Sequence, residues 1–378
     1  PKMFKEMMRE MQGVLDSYFE YLPGDTVLPH FAGCTVDEAM AVWCAMQNIA
    51  EYVVSEVDYD TGLFGKEDFS SVPTKMLKED LISGIVRLTG IKQAKVRAVV
   101  GGMVANMSSY NDIWSRMLIP QRDHYLLPFF PMINSSPFNM VDHLLQTGGF
   151  DLKERGKMFE RYIYSQLTDM PTSYPLECLP PGHYGVNGDR EEIDVLVSMK
   201  NVVLVGDAKC IRYSMEPQNY ADAWSRLVEG CEQAIRKMEF VRRNPQYFFG
   251  ISDYSSKRLI PMVVTNYPKF TGFSHRGVYV IDSHSFLAYM QRGVMNLRQL
   301  SASADRVLRS VRFYDSEDEY SDRFMGYLSN NPVKELLSKR ISIRDVSLTA
   351  NDPDSDSWRV VCRSAQLDND ARFNINAS

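Results

Sequence analysis

Two strand-like segments separated by a very short connection constrain the fold of this chain more than any other feature of its sequence. Residues 190–198 alternate between two faces of a predicted strand, one carrying Ile193, Val195 and Val197 and the other Glu192, Asp194 and Leu196. Residues 202–208 are apolar almost throughout, as expected for a central strand that is covered on both faces. The connection, residues 198–201, has the length of a hairpin loop, so the two segments are predicted to be antiparallel neighbours in one sheet.

The segments around this hairpin predict an α/β domain with a mixed sheet. Helical patterns occur at 153–167, 220–243 and near 286–291, and further strands are predicted at 173–179, 259–265 and 277–282. The chain order is therefore helix, three strands, helix, two strands and a last helix. We assign residues 150–300 to this domain.

The N-terminal region, residues 1–149, is predicted to be helical. Its first 110 residues repeat apolar side chains with the 3.6-residue period of a helix and contain few strand signals. Within it, residues 76–107 indicate two helices that are separated at Thr89 and Gly90, where the glycine ends the first helix.

A hairpin is predicted directly after this helix pair, from two short apolar runs at 116–120 and 124–128. A helix-turn-helix followed by such a wing resembles a winged-helix domain, here over about residues 72–130. The second helix carries three basic residues that suit contacts with phosphate, namely Lys92, Lys95 and Arg97. The alternative is an ordinary packed helix pair whose basic residues face water.

Length and charge limit the classes of protein to consider. A chain of 378 residues is expected to form two or three units of about 100–200 residues, and residues 301–378 are assigned to a C-terminal extension whose role the sequence does not indicate. Apolar residues make up 44% and charged residues 24%, which excludes a wholly disordered, collagen-like or coiled-coil protein. Because the net charge is −6, any affinity for nucleic acid must come from a local patch.

Cysteine spacing and the length of apolar runs indicate a cytoplasmic protein. The six cysteines include no CxxC pair, so they suggest neither a zinc site nor a disulfide scaffold. No apolar run approaches the ~18 residues of a membrane span, and the N-terminus lacks the apolar core of a signal peptide. We therefore expect a protein of the reducing cytoplasm with no membrane partner.

Asp194, Asp207 and Lys209 carry the chemistry that the hairpin predicts. Asp207 and Lys209 are two residues apart on one strand, so their side chains leave the same face roughly 6–7 Å apart. Pairing Val197 with Val202 closes the hairpin. Asp194 then becomes a diagonal neighbour of Asp207 on the same face, roughly 7–8 Å away. Two carboxylates and one ammonium are thus predicted to converge.

Acids clustered in an apolar sheet need a compensating charge, and a divalent cation with oxygen ligands supplies one. Mg²⁺ is the natural occupant, because it prefers one or two carboxylates together with water and phosphate oxygens, and Mn²⁺ is expected to substitute for it. This is the arrangement that hydrolysis of a phosphodiester requires. Lys209 would lie beside the scissile phosphate and neutralise the charge that develops there.

This constellation resembles the PD-(D/E)XK nuclease superfamily. The core of that family has a helix with Glu, a strand with Asp, a strand that ends in Asp/Glu-x-Lys, and a helix that often carries Gln. The resemblance covers about residues 150–295, and the matching positions are Glu160, Asp194, Asp207, Ala208, Lys209 and Gln233. Ile193 stands where the family's name has proline. The resemblance implies a restriction-endonuclease-like fold.

The resemblance also implies a role for each matched residue. The implied metal ligands are Asp194, Asp207, the carbonyl of Ala208 and, directly or through a water, Glu160. Lys209 would act in catalysis on the side of the base, and Gln233 would orient this lysine or contact the DNA backbone. The competing side chains are Glu154 and Glu192 for Glu160, and Gln218 and Glu232 for Gln233.

A further set of basic residues lies on the predicted Gln233 helix. Arg236 and Lys237 follow the glutamine, with Arg242 and Arg243 behind them. Phosphate contacts by such residues would give salt-dependent affinity that is largely independent of sequence. The alternative is the solvated face of an amphipathic helix.

These features predict a metal-dependent nuclease that hydrolyses DNA, in a DNA-defence or repair system. Endonuclease is favoured over exonuclease only by the usage of the superfamily. The alternative is a non-catalytic nucleic-acid-binding or assembly module with the same fold, acting with a protein partner or a second copy. A third interpretation is an unrelated α/β protein in which Asp194 and Asp207 lie far apart in surface ion pairs.

Overall fold

The structure of the protein is a computed structural model with an α/β architecture and a mixed sheet of six strands. It describes residues 2–56, 74–106, 113–186, 188–213, 217–248, 257–301, 304–331, 341–350 and 358–367. A membrane-spanning segment is absent from the described helices, since each is too short or too polar to traverse a bilayer.

The N-terminal region is mainly helical, as predicted. Its helices are α1 (Lys2–Tyr18), α2 (Val36–Glu56), α3 (Lys78–Thr89), α4 (Gln93–Gly102), α5 (Phe129–Asn134) and α6 (Pro137–Thr147). Its strands are β1 (Val27–Leu28), β2 (Cys34–Thr35), β3 (Thr74–Leu77), β4 (Ile119–Gln121) and β5 (His124–Leu127). Gly90 ends α3 with a φ of +72° and donates its N–H to the carbonyl of Val86, 2.8 Å away.

The predicted helix-turn-helix and hairpin are both present in this region. Helices α3 and α4 are joined by residues 90–92, and β4 and β5 form an antiparallel hairpin. Strand β3 pairs with β5, which gives a three-stranded sheet in the order β3-β5-β4. Residues 72–73 and 107–112 of the predicted winged-helix segment lie outside the described residues.

The α/β part of the chain follows. Its helices are α7 (Leu152–Thr168), α8 (Pro217–Arg243) and α9 (Ser283–Leu287). Its strands are β6 (Glu177–Leu179), β7 (Gly182–Val186), β8 (Asp189–Ile193), β9 (Val195–Ser198), β10 (Val202–Lys209), β11 (Arg258–Thr265), β12 (Ser274–His275) and β13 (Val278–Asp282). The main sheet has the order β12-β13-β11-β10-β9-β6. Strands β10, β11 and β13 are parallel, and β9 is antiparallel to β10.

The predicted strand over residues 190–198 is two strands in the structure. Strand β8 pairs with β7 in a separate two-stranded sheet, and β9 belongs to the main sheet, with Asp194 between them. Side-chain alternation is interrupted there: Ile193 and Leu196 share one apolar cluster, whereas Val195 and Val197 belong to another. Grouping Ile193 with Val195 was therefore wrong, because the chain changes sheets at Asp194.

The register of the hairpin also differs from the prediction. Val197 lies opposite Leu204 and Val195 opposite Gly206, so the pairing is shifted by two residues. For the paired residues of β9 and β10, a shift of two keeps each side chain on its predicted face. Continuing this register places Asp194 level with Asp207 instead of diagonal to it.

Gly206 permits the close approach of the two strands. A β-carbon at this position would lie 2.9 Å from the β-carbon of Val195. Such a distance is too short for two carbon atoms, so glycine is required where β9 meets β10.

The buried core crosses the predicted boundary at residue 150. One apolar cluster contains Leu15 and Trp43 from the N-terminal helices together with Phe159 and Val264 from the α/β part. The N-terminal region and the sheet are therefore packed against each other.

Part of the predicted C-terminal extension joins the same core. The predicted extension begins at residue 301, the last residue of β14 (Val294–Ser301). Its further elements are β15 (Ala304–Arg312), α10 (Glu317–Asp322), α11 (Phe324–Ser329), β16 (Ile341–Ala350) and β17 (Trp358–Leu367). The rings of Phe324 and Tyr327 lie 5.1 and 4.7 Å from the ring of Tyr289, and Tyr320 donates its hydroxyl hydrogen to the sulfur of Met290. These contacts bind the segment to the end of the α/β part.

Candidate active site

Asp194 and Asp207 lie side by side and share one partner, the ammonium group of Lys237. Asp194 is 8% exposed, Asp207 1% and Lys237 4%. Lys237 Nζ donates to Asp194 Oδ2 at 3.0 Å and makes a short hydrogen bond to Asp207 Oδ1. Because one nitrogen contacts both, the two carboxylate oxygens lie within about 6 Å of each other. The interpretation that placed these acids far apart on the surface is therefore wrong.

Lys209 lies on the other side of Asp207. Its Nζ atom is 2.8 Å from Asp207 Oδ2 and donates to Gln233 Oε1 at 2.6 Å. Gln233 in turn donates its amide to Glu229 Oε1 at 2.9 Å, which holds the glutamine in place. The Lys209 side chain is 25% exposed, so its ammonium is fixed on two sides and still reaches solvent.

One face of helix α8 supplies the partners of these strand residues. Gln233 contacts Lys209, and Lys237, one turn later, contacts both aspartates. Gly230, one turn earlier, faces the same point: a β-carbon there would lie 3.2 Å from Asp207 Oδ2 and 3.1 Å from Lys209 Cε. A glycine on α8 therefore leaves room above the Asp207 carboxylate.

The electrostatics of the site follow from burial and from these contacts. Burial raises the pKa of Asp194 to about 7, with Lys237 opposing the rise and Asp207 adding to it. Burial lowers the pKa of Lys237, but Asp207 and Asp194 outweigh burial and leave that pKa above its usual value. Lys237 is therefore held as an ammonium ion between the two acids.

Two observations test whether the site suits a divalent cation. Within the part of the chain that the structure describes, the buried Asp207 Oδ2 atom accepts no hydrogen bond, although Lys209 forms an ion pair with it. The room left by Gly230 adjoins this same oxygen. A buried carboxylate oxygen with free accepting capacity fits a hard cation, so Asp194 and Asp207 are the residues that would hold Mg²⁺.

Glu160 and Ala208 both interact with the aspartates of the site. Among the described residues, no group of three His, Cys, Asp or Glu side chains could hold one ion, so Glu160 is not placed as a direct third ligand, and a role for it through a water stays a prediction. Burial raises the pKa of Glu160, and Glu192 adds to the rise. The contact found for Ala208 is a hydrogen bond from its N–H to Asp194 Oδ2, at 2.9 Å. A role for the Ala208 carbonyl stays a prediction.

The predicted basic surface on α8 needs correction. Lys237 is buried in an ion pair with two acids and cannot contact nucleic acid from this position, so that assignment was wrong. Arg236 is exposed but forms a two-pronged pair with Glu191 of β8. The other basic residues of this set are also paired, Arg242 with Glu239 and Arg243 with Asp189. Acidic side chains thus neutralise most of the predicted patch.

The basic residues of α4 are partly engaged as well. Lys95 forms an ion pair with Glu38, and Arg97 forms a two-pronged pair with Glu79. Lys92 lies exposed at the N-terminal cap of α4. Of these three residues, Lys92 is the one for which the described part of the chain shows no ion pair.

Sequence reasoning missed the contribution of Lys237 to the site. The signal was its spacing: Lys237 follows Gln233 by four residues, which places both on one helix face. Its basic neighbour Arg236, one residue away, points to a different side of the helix and is exposed.

Four side chains that the sequence singled out together thus meet at the C-terminal end of β10 beside α8, namely Asp194, Asp207, Lys209 and Gln233.

No protein-family model matches the chain, and it matches no curated protein and no solved structure.

Proposed function

We propose that this chain is a metal-dependent nuclease that hydrolyses phosphodiester bonds in DNA. The observation that carries the proposal is the convergence of Asp194, Asp207 and Lys209 at the end of one buried strand. The chain order around these residues, helix α7, strands β9 and β10 and helix α8, agrees with the helix, strand, strand and helix that the PD-(D/E)XK resemblance implies.

Each residue has a chemical task in this proposal. Mg²⁺, when bound by Asp194 and Asp207, would supply Lewis-acid activation of the phosphate and of the attacking water. Lys209 is held by Gln233 and is partly exposed, so its ammonium can contact a phosphate oxygen and stabilise charge that develops there. Gln233 is a positioning residue, because it acts through Lys209.

The N-terminal region offers a way to position substrate. Helices α3 and α4 followed by the β4–β5 hairpin have the order of elements of a winged helix. We propose that this segment contacts nucleic acid or a protein partner while the α/β part carries out hydrolysis. Exposed Lys92 is the basic residue best placed for such a contact.

One observation favours the second candidate function, a non-catalytic nucleic-acid-binding or assembly module. The two aspartates already have an internal counter-ion, because Lys237 contacts both. A site that the protein itself neutralises needs no metal, and losing any one of its charged side chains would leave a buried charge uncompensated. Cleavage assays separate the two functions.

The deciding experiment incubates the protein with supercoiled, linear and single-stranded DNA and with RNA, each with Mg²⁺ and with EDTA. We expect Mg²⁺-dependent cleavage of DNA, and nicking of a closed circle if the enzyme is an endonuclease. Asp207→Asn should be inactive, whereas the matched control Asp222→Asn, an exposed acid near the start of α8, should be as active as the unaltered protein. Binding without cleavage on every substrate would favour the second candidate, and cleavage by Asp207→Asn would exclude this site.

A further inference from the structure

Lys237 occupies the position where a cation would bridge the two aspartates. Its Nζ atom makes hydrogen bonds to one oxygen of each carboxylate, and the side chain is almost wholly buried. Asp194 directly precedes β9, Asp207 lies on β10 and Lys237 lies on α8, so the packing of that helix on the sheet holds the three groups in place. An ammonium ion here takes the contacts that a metal would otherwise make.

The two aspartates and the two lysines that contact them balance in charge without a metal. Asp194 and Asp207 contribute two negative charges, and Lys209 and Lys237 contribute two positive charges. Adding a divalent cation would leave a net charge of about +2 in a buried environment, where like charges repel strongly. Withdrawal of one ammonium group therefore favours binding of the cation. Lys209 contacts Asp207, whereas Lys237 contacts both aspartates, so an ion held by both acids takes the place of Lys237.

A second set of carboxylates is available to the withdrawn lysine. The pKa of Glu160 on α7 is raised by Glu192 and lowered by Lys237, so both charges act on this carboxyl group. These two acids repel each other, so an ammonium moving toward them would relieve that repulsion.

We propose that Lys237 is an internal cation that a divalent metal ion must displace from the Asp194–Asp207 pair. The site then has two states, one held by the lysine and one held by the metal, and Lys237 sets the metal concentration at which it loads. This inference rests on the proposed function for the identity of the ion.

Metal affinity measured by calorimetry with Mn²⁺ tests the competition without any substrate. Lys237→Met removes the competing charge and keeps the length of the side chain, so Mn²⁺ should bind roughly tenfold tighter or more, a change of at least ~1.4 kcal/mol. The matched control is Lys200→Met, which removes an ion-paired lysine at the hairpin loop and should leave the affinity unchanged. Equal or weaker binding by Lys237→Met would overturn the proposal. Asp207→Asn should abolish binding in either background.

A measurement on the unaltered protein covers the case in which Lys237→Met does not fold. Lysine acetylation, read by mass spectrometry, should be slow at the buried Lys237 and should accelerate severalfold on addition of Mn²⁺, whereas Lys200 should react equally with and without the ion. Unchanged protection of Lys237 in the presence of bound Mn²⁺ would overturn the displacement.

Failure of this inference can be distinguished from failure of the proposed function. Mn²⁺ binding that is unaffected by Asp207→Asn removes the metal site and with it the metal-dependent part of the proposed function. Mn²⁺ binding that depends on Asp207 but not on Lys237 removes only the competition.

Discussion

The ammonium group of Lys209 contacts the carboxylate of Asp207 and the amide oxygen of Gln233. Because both contacts involve the charged group, the variant to test is one that removes the charge and keeps the size of the side chain. Lys209→Met keeps the length of the side chain and removes the ammonium. We expect cleavage of DNA to fall by about 10²–10³-fold, the usual loss when one group that stabilises transition-state charge is removed.

DNA binding by Lys209→Met should change by less than about threefold, because one cation among several phosphate contacts contributes little to affinity. Cleavage rates and binding by fluorescence anisotropy in EDTA supply the two numbers, with Lys200→Met as the matched control. A parallel loss of binding and cleavage would mean that Lys209 is only a phosphate contact.

Gly230 offers a test that separates geometry from stability. In a helix interior, Gly→Ala usually stabilises by about 0.5–1 kcal/mol. Here the new β-carbon would lie only 3.1 Å from Lys209 Cε and 3.2 Å from Asp207 Oδ2, so Lys209 must move away. Gly230→Ala should therefore fold at least about as stably as the unaltered protein and yet cleave DNA more slowly, by about tenfold or more.

The control for this substitution is Gly13→Ala in α1, where nothing lies within 4 Å of the new β-carbon. It should gain stability without any change in cleavage. Thermal unfolding and initial rates, measured on both variants, check the prediction. If Gly230→Ala retained full activity, the room above Asp207 would have no part in the reaction.

At the residue scale, sequence reasoning identified Asp207, Lys209 and Gln233 because their spacing is local to one strand and one helix. It could not identify the side of α8 that faces the sheet. Arg236 and Lys237 are neighbours in the sequence with the same charge, yet one is exposed and the other is buried. Only the packing of α8 on β10 distinguishes them.

At the scale of elements, the hairpin was predictable and its register was not. The side chains of a strand repeat every two residues, so a shift of two positions leaves the pattern of buried and exposed residues unchanged. The break at Asp194 was hidden for a similar reason, because β8 and β9 each alternate and the interruption occupies a single residue. What favours the observed register is the contact of Gly206 with Val195, which requires a glycine.

Helices α6 and α7 are joined by a buried ion pair between Asp142 and Arg155, whose side chains are 1% and 5% exposed. Arg155 also donates to the hydroxyl groups of Tyr21 and Tyr267. Arg155→Met leaves Asp142 charged and buried without this partner, so the free energy of unfolding should fall by about 3–5 kcal/mol. Urea denaturation measures the loss.

The control lies on the same helix. Arg161→Met removes an exposed pair with Glu154 and should cost no more than about 1 kcal/mol. The double variant Arg155→Met/Asp142→Asn should recover part of the loss, because the uncompensated charge is gone. If Arg155→Met lowered the free energy of unfolding by no more than Arg161→Met does, the Asp142–Arg155 pair would contribute nothing to the stability of the packing between the two helices.

At the scale of the whole molecule, the sequence pattern separates a helical N-terminal region from an α/β part, but the buried apolar core includes side chains from both. The helical pattern of the N-terminal region and the strand pattern of the α/β part were both visible. That Leu15 and Trp43 pack into the same apolar cluster as Val264 was not, because contacts between distant segments leave no local periodicity. Ion pairs between distant segments are hidden in the same way, because the net charge of −6 does not show which basic residues are paired with acidic side chains.

The pairing of basic residues leads to a prediction for DNA binding by the N-terminal region. If Lys92, Lys95 and Arg97 each contacted a phosphate, replacing all three by alanine would flatten the dependence of log affinity on log salt by about 2.7, at roughly 0.9 for each contact. Lys95 and Arg97 are engaged with Glu38 and Glu79 in the structure, whereas Lys92 is not in such a pair. Leaving an ion pair to reach DNA offsets much of what the new contact contributes, so we expect a flattening nearer to 0.9, due to Lys92.

Binding at three or more salt concentrations, in an Asp207→Asn background that prevents cleavage, measures this slope. Lys92→Ala alone should then reproduce most of the effect of the triple variant, and sequence preference should change little, because phosphate contacts position a protein without reading bases. A change near 2.7 in the triple variant would mean that both ion pairs open on DNA, which would make α4 a recognition surface that is masked in the free protein. No change in slope would assign α4 to packing alone, and any affinity for DNA measured in this background would then come from basic residues outside α4.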